Sequence, residues 1–161
     1  IEQIELIFRT AGLKKYIVDN DESMNWGKLA NNIGINPLTA LLEVQNGELT
    51  EDVICRRVVA LAVREVKAVA VKLGISLPYN DPYAATISAC HASATNYSSM
   101  LQDILNKRPT EIDSMCGALL RLSVREKVRT PVNKFLHEHV KAKEEGVNFN
   151  PDLLHRLLQF N

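Results

Sequence analysis

The stretch from Trp26 to Leu42, WGKLANNIGINPLTALL, decides the fold. Its apolar residues recur at helical spacing, with Trp26, Leu29 and Ile33 along one flank. Lys28, Asn32 and Asn36 stand four residues apart. On an α-helix such positions drift only slightly around the axis from one to the next, so the three share a face. An ammonium and two carboxamides on the rim of an apolar wall suit a small polar ligand such as a hydroxy or keto acid. The same spacing also describes a solvated helix face, and spacing alone leaves both readings open.

Outward from this stretch the pattern stays helical. Asp21 or Ser23 is expected to cap a helix that runs to about Gly34 or Ile35, and Asn36-Pro37 to open a second one through Leu42. Asn46-Gly47-Glu48-Leu49 reads as a turn. Thr50 then caps the longest helix, whose Val53, Ile54, Val58, Leu61, Ala62, Val66, Ala68 and Val71 lead to a stop at Gly74. Leu77 to Pro82 is a stiff connection. Further helices are expected over 83–93, 95–106, 110–127, 131–145 and 150–160. Thr110 with Asp113 resembles a capping box, and Thr130-Pro131 and Asn150-Pro151 repeat the cap-plus-proline start. The fold expected is all-α, an irregular bundle of about six or seven helices around the Thr50–Gly74 helix.

Residues 1–20 read differently. Ile1, Ile4, Ile7 and Phe8 keep a helical period to Gly12, and Lys15-Tyr16-Ile17-Val18 looks like a single strand. A lone strand has no partner for its ladder. This short helix–strand remnant is therefore expected to close a preceding sheet-containing domain, with a helical domain over 21–161.

Composition narrows the function. Nineteen basic residues balance nineteen acidic ones, which gives no electrostatic footprint for nucleic acid or an anionic membrane. No apolar run approaches the roughly 20 residues of a bilayer span, and no signal-peptide layout opens the chain. Cys55, Cys90 and Cys116 are far apart and lack a C-x-x-C pair, so they read as small buried hydrophobes in a reducing compartment. The expected location is the cytoplasm.

Two further clusters could carry chemistry. Asn96-Tyr97-Ser98-Ser99 leads into Met100-Leu101-Gln102-Asp103, where adjacent serines either cap a helix or, with nearby amides, receive a carboxylate. Arg108-Pro109-Thr110-Glu111-Ile112-Asp113 puts Glu111 in a first helical turn, where the helix dipole alone can account for it. His137 and His139 lie two apart and face different sides of a helix, so they cannot share a metal. The chain has no G-x-S-x-G, no phosphate-binding P-loop and no G-x-G-x-x-G. Lys28 is the one residue that stands out as a proton donor, because desolvation beside Trp26 and Leu29 would lower its pKa.

In order and spacing, these segments resemble the C-terminal helical domain of the ketopantoate reductase (2-dehydropantoate 2-reductase) family. The likeness runs through Trp26-x-Lys28-Leu29-x-x-Asn32-x-x-x-Asn36-Pro37-Leu38-Thr39-Ala40-Leu41 and Asn46-Gly47-Glu48-Leu49. It resumes at Ser98 to Asp103, at Thr110 to Asp113 with Gly117, and at Thr130-Pro131-x-Asn133. The resemblance implies an all-helical fold like the C-terminal domain of 6-phosphogluconate dehydrogenase. It also implies a preceding Rossmann domain, of which 1–20 would be the end, that binds NADP(H) through a glycine-rich turn. The implied reaction reduces 2-dehydropantoate to pantoate, toward pantothenate and coenzyme A. Within it Lys28 would be the general acid, and Asn32 and Asn36 would bond the substrate's hydroxyl and keto ends. Ser99 would meet its carboxylate and Glu111 would orient a hydroxyl, while Asn96 and Asp103 hold family-like positions with less defined roles. No metal is implied. A small keto acid is the expected partner and a homodimer is allowed. A reductase of another 2-keto acid and a non-catalytic helical dimerisation or metabolite-binding module are the competing readings.

Overall fold

The computed structural model describes residues 21–159, so the helix–strand expected over 1–20 lies outside the described residues. The first helix, α1 (Asp21–Leu42), runs unbroken through Pro37, where the sequence predicts a new start. Proline in a helix interior removes one backbone donor and crowds the preceding turn, at a cost of about 3 kcal/mol. The surroundings outweigh it. Every residue from Ile33 to Leu41 is buried, and Ile33, Leu38 and Leu41 alone each contribute about 1.5–3 kcal/mol by leaving water. Thr39 Oγ1 also lies 3.0 Å from the carbonyl oxygens of both Ile35 and Asn36, lending a donor to the turn around the proline. Ser23, expected as a cap, sits inside the helix and donates to the Ser76 carbonyl at 2.7 Å.

A short helix α2 (Glu48–Glu51) precedes the long α3 (Val53–Lys72). The cap of α3 is Asp52, not Thr50: its Oδ1 accepts from the amides of Ile54 and Cys55 at 2.7 and 2.8 Å. Thr50 belongs to α2 and donates to the Gly47 carbonyl at 2.7 Å. The far end agrees with the sequence, since α3 closes at Leu73 and Gly74 follows with φ of +75°. After α4 (Pro82–Ala92) comes an irregular segment, and α5 (Ser99–Leu105) begins four residues later than expected. A π-helical turn (Asp113–Gly117) leads into α6 (Ala118–Arg125), followed by α7 (Pro131–Glu144) and α8 (Asp152–Gln159). Among the described residues this makes eight helices and no strand, an all-α bundle as expected. The long helix α3 is central as expected, packing against α1, α2, α4, α6, α7 and α8, and α1 shares that place with it. α1 packs against α3, α4, α5 and α7 at once, and the burial of its second half on all sides makes it a core element too. At Gly34 an added Cβ would lie 2.8 Å from Thr86 Cγ2 and 3.0 Å from Val63 Cγ2, so glycine lets α1 approach α3 and α4 closely.

Two expected caps are replaced by distant groups. Thr110 does not box with Asp113; its amide and its hydroxyl both bond Glu144 Oε1 at 2.7 Å. Asp113 instead meets His137 Nε2 at 2.8 Å and Lys141 Nζ at 3.1 Å, and these two contacts hold its carboxyl below the usual range. Thr130 occupies the N-cap position of α7 without capping it. Glu65 of α3 does that work, its Oε1 accepting from the Val132 amide and its Oε2 from the Asn133 amide, both at 2.9 Å. Asn133 Nδ2 adds a third bond to Oε2 at 2.7 Å. Burial pushes the Glu65 carboxyl above its ordinary pKa, and the three donors pull part of the way back.

The cysteines behave as read from sequence. Cys55, Cys90 and Cys116 are buried thiols, and burial raises them to about 12, 11 and 12 respectively. Among the described residues no helix is long and apolar enough to cross a membrane.

Candidate active site

The continuity of α1 sets the site. Because no break intervenes at Asn36, Lys28, Asn32 and Asn36 stay on one face of one helix and line one cleft of about 480 Å³. Ile35 lies among them as an apolar strip. Asn31, a further lining residue, is tied at 2.9 Å to Thr86 Oγ1 of α4, so it holds two helices together. Across the cleft stand Ala89 and Ser93 at the end of α4, then Asn96, Tyr97, Ser98 and Ser99 on the connection into α5. Met24 and Tyr79 complete the rim.

Burial grades the polar row. Lys28 is exposed at the mouth, Asn32 is half-buried, and Asn36 is 8% exposed. Trp26 and Leu29 do pack against the core, but the described residues leave the lysine open to water. Ser99 and Asn96 are exposed on the opposite bank. The two serines divide the readings that the sequence leaves open. Ser98 is the cap, accepting from the Leu101 amide at 3.1 Å, while Ser99 faces the cleft as the first residue of α5.

Not every candidate gathers here. Asp103 is one turn further along α5, in an ion pair with Arg108 at 2.8 Å, and does not line the cleft. Glu111 is exposed just before the π-helical turn and also lies outside the lining, although that turn packs against α1. The structure therefore brings together Lys28, Asn32, Asn36, Asn96 and Ser99, and leaves Asp103 and Glu111 aside.

Of the lining residues that the sequence does not single out, Asn46 is the most telling. Asn46 is 7% exposed, its amide donates to the Asn96 carbonyl at 3.0 Å, and its Nδ2 donates to Ser93 Oγ at 2.9 Å. Ser93 passes its own proton to the Ala89 carbonyl at 2.8 Å, which fixes the orientation of the Asn46 amide. Asn46 Oδ1 is left buried with no hydrogen-bond partner among the described residues. A buried acceptor without a donor costs about 1–3 kcal/mol and marks a polar demand in the cleft wall. The sequence signal, an Asn-Gly pair straight after the most buried helix, reads as a turn because the partners of its side chain lie 47 residues away.

Chemically, the cleft offers one cation at its mouth, carboxamides along one bank and a hydroxyl on the other. That set can hold a small anion bearing carbonyl and hydroxyl oxygens and can deliver a proton to one of them.

Comparison with known proteins identifies the family of this fold. Residues 20–144 match the family model described as ketopantoate reductase PanE/ApbA C terminal. The 2-dehydropantoate 2-reductase of Pyrococcus horikoshii is 32% identical over 144 residues, which cover 89% of this chain and 48% of that protein. The enzyme of the same name from Escherichia coli O157:H7 is 40% identical over 124 residues, covering 74% of this chain and 38% of that one. Among solved structures, a ternary complex of D-mandelate dehydrogenase with NADH and anilino(oxo)acetate superposes with a TM-score of 0.81 at 32% identity, covering 89% of this chain and 48% of that one. A PanE/ApbA family ketopantoate reductase from Ralstonia eutropha JMP134 gives 0.81 at 28% identity, covering 90% and 48%. The chain thus spans about half the length of the first of these relatives. The match over 20–144, with the cleft residues inside it, shows that the chain belongs to the ketopantoate reductase family and corresponds to its C-terminal domain.

Proposed function

We propose that this chain is the substrate-side domain of a nicotinamide-dependent reductase that converts 2-dehydropantoate to pantoate, with NADPH as the cofactor. The observation that carries the reading is the convergence of Lys28, Asn32, Asn36, Asn96 and Ser99 on one cleft. The lining has a single cation, Lys28, and no glycine-rich turn to cradle a pyrophosphate. This lining therefore does not fit a dinucleotide, whose binding would fall to a separate dinucleotide-binding domain. Held there, such a cofactor would supply the hydride that the reduction requires.

This chain's residues handle the rest. The carboxamides of Asn32 and Asn36 donate to the keto and hydroxyl oxygens and fix which face of the carbonyl is presented. Ser99 meets the carboxylate from the opposite bank. As charge builds on the keto oxygen, Lys28 Nζ transfers a proton to it, forming the alcohol, and the neutral amine regains a proton from water. An exposed lysine at the mouth is well placed to recharge. Glu111 and Asp103 would act on the substrate only after a change in their surroundings from those described.

A second reading has its own support. The D-mandelate dehydrogenase that was solved with NADH and anilino(oxo)acetate shares 32% identity with this chain, the same figure as the Pyrococcus horikoshii reductase. A reductase of an aryl 2-keto acid is thus the alternative. The test is kcat/KM of the enzyme carrying both domains, measured for 2-dehydropantoate and phenylglyoxylate with NADPH and with NADH. Preference for 2-dehydropantoate with NADPH supports the first reading, and preference for phenylglyoxylate transfers it to the second. Tight pantoate binding with no reduction of either acid would leave a non-catalytic module. In the active case Lys28→Ala lowers kcat by about 10²–10⁴, and near-normal turnover would remove Lys28 from the mechanism.

A further inference from the structure

The bank of the cleft opposite α1 is not a helix. Residues 93–98 form the irregular connection between α4 and α5, yet this segment carries Asn96 and delivers Ser99. An irregular segment keeps a polar group in register only if something outside it holds it there. Two attachments do so. The Asn46 and Gly47 amides donate to the carbonyls of Asn96 and Ala94, both at 3.0 Å, in a contact so close that a Cβ on Gly47 would lie 2.7 Å from Ala94 Cβ. At the other end, Thr39 Oγ1 lies 2.7 Å from Ser98 Oγ.

The second attachment is a chain of single protons. Thr39 is fully buried, and its Oγ1 has three acceptors in reach, the carbonyls of Ile35 and Asn36 at 3.0 Å and the oxygen of Ser98. A hydroxyl has one proton to give. One order satisfies every group: the Leu101 amide donates to Ser98, Ser98 donates to Thr39, and Thr39 donates to the α1 carbonyls. The chain begins at the first turn of α5, where Ser99 sits, and ends on the carbonyls beside Asn36. It therefore spans the cleft underneath, joining the two banks that the substrate would touch from above.

We propose that Thr39 is a positioning residue of the substrate site, whose buried hydroxyl sets the separation of Ser99 from the Asn32–Asn36 row. The proposal rests on the functional reading above for its kinetic consequence, but not for its geometry. Thr39→Val keeps the shape and removes the hydroxyl, and Thr39→Ser restores it. Thr130→Val is the control, because Thr130 makes a similar buried pair with Ser123 at 3.0 Å and neither residue lines the cleft.

The experiment uses the enzyme with both domains and measures keto-acid KM, cofactor KM, kcat, Tm and amide hydrogen exchange at Leu101. Thr39→Val is expected to raise the keto-acid KM about tenfold and to leave the cofactor KM within about twofold of its starting value. Thr39→Ser brings the KM back, and Thr130→Val lowers Tm without moving it. Leu101 exchanges faster in Thr39→Val alone. A Thr39→Val enzyme with lowered Tm but unchanged KM overturns the proposal, since the hydroxyl would then serve stability only. If the wild type reduces no 2-keto acid, the functional reading fails by itself. Leu101 exchange then decides the positioning claim, and unchanged protection in Thr39→Val overturns it.

Discussion

Replacing Glu65 with alanine tests how the bundle holds together. The carboxylate accepts three hydrogen bonds, two from the first-turn amides of α7 and one from Asn133 Nδ2, while only 9% of the residue is exposed. Bonds to a charged group contribute about 1.5–3 kcal/mol each in gross terms. The desolvation that raises the Glu65 pKa offsets a large share of that sum. What remains after truncation is two unsatisfied amides in a buried helix start and a void, a net loss of about 3–4 kcal/mol. The exposed cap Asp52 offers the comparison, and Asp52→Ala should cost about 1 kcal/mol. Urea denaturation gives both values, and the corresponding fall in Tm is about 6–16 °C against about 2–4 °C. The pH dependence has a definite sign. A carboxyl whose folded pKa is raised contributes stability that is present below the unfolded value near 4.5 and is lost as pH rises through the folded value. The gap between wild type and Glu65→Ala should therefore widen as pH falls from 7 toward 4.5. If Glu65→Ala costs no more than Asp52→Ala, or if the gap narrows on acidification, Glu65 is not the group that anchors α7.

Other consequences can be checked more simply. Gly34→Ala places a methyl 2.8 Å from Thr86 Cγ2 and 3.0 Å from Val63 Cγ2, so it should destabilise by about 1–3 kcal/mol despite the better helix propensity of alanine. A stabilised variant would show that α1 has room to shift. The three cysteines, buried and with thiols raised to about 12, 11 and 12, should label negligibly with a maleimide at pH 7 in the folded protein and fully in urea. Rapid labelling of any of them in the native state would contradict its burial. Asp113→Asn should cost well under 1 kcal/mol, since the Asp113 side chain is 62% exposed and its ion pairs are solvent-screened. A larger loss of Tm would mean that its bonds to His137 and Lys141 organise the π-helical turn.

Much of this was legible in the sequence, and the parts that were not share a cause. Helical period located nearly every helix, and four-residue spacing put Lys28, Asn32 and Asn36 on one face because both signals depend only on neighbours along the chain. The proline at 37 misled for the same reason. Local chemistry favours a break there, whereas the packing that overrides it comes from Val63, Thr86 and other residues far away in sequence. Glu65 serves as the cap for a helix 67 residues later, and Thr110 turns to a glutamate 34 residues away, so motifs of three or four residues named the wrong partners. In the cleft, Ser98 and Ser99 were indistinguishable as a dipeptide. Thr39 separates them, because it engages Ser98 and leaves Ser99 exposed, although both line the cleft.

The encasement of α1 between Ile33 and Leu41 also bears on how the site can move. That helix is clamped by neighbours on every side, so the carboxamide row behaves as a fixed jaw. Any adjustment to an arriving molecule must then come from the bank across from it, as far as its ties to Asn46, Gly47 and Thr39 yield, or from a second body closing over the lysine at the entrance. A change in the width of this cleft would accordingly have to begin with those ties between Ser93 and Ser99, since the encased helix has nowhere to go.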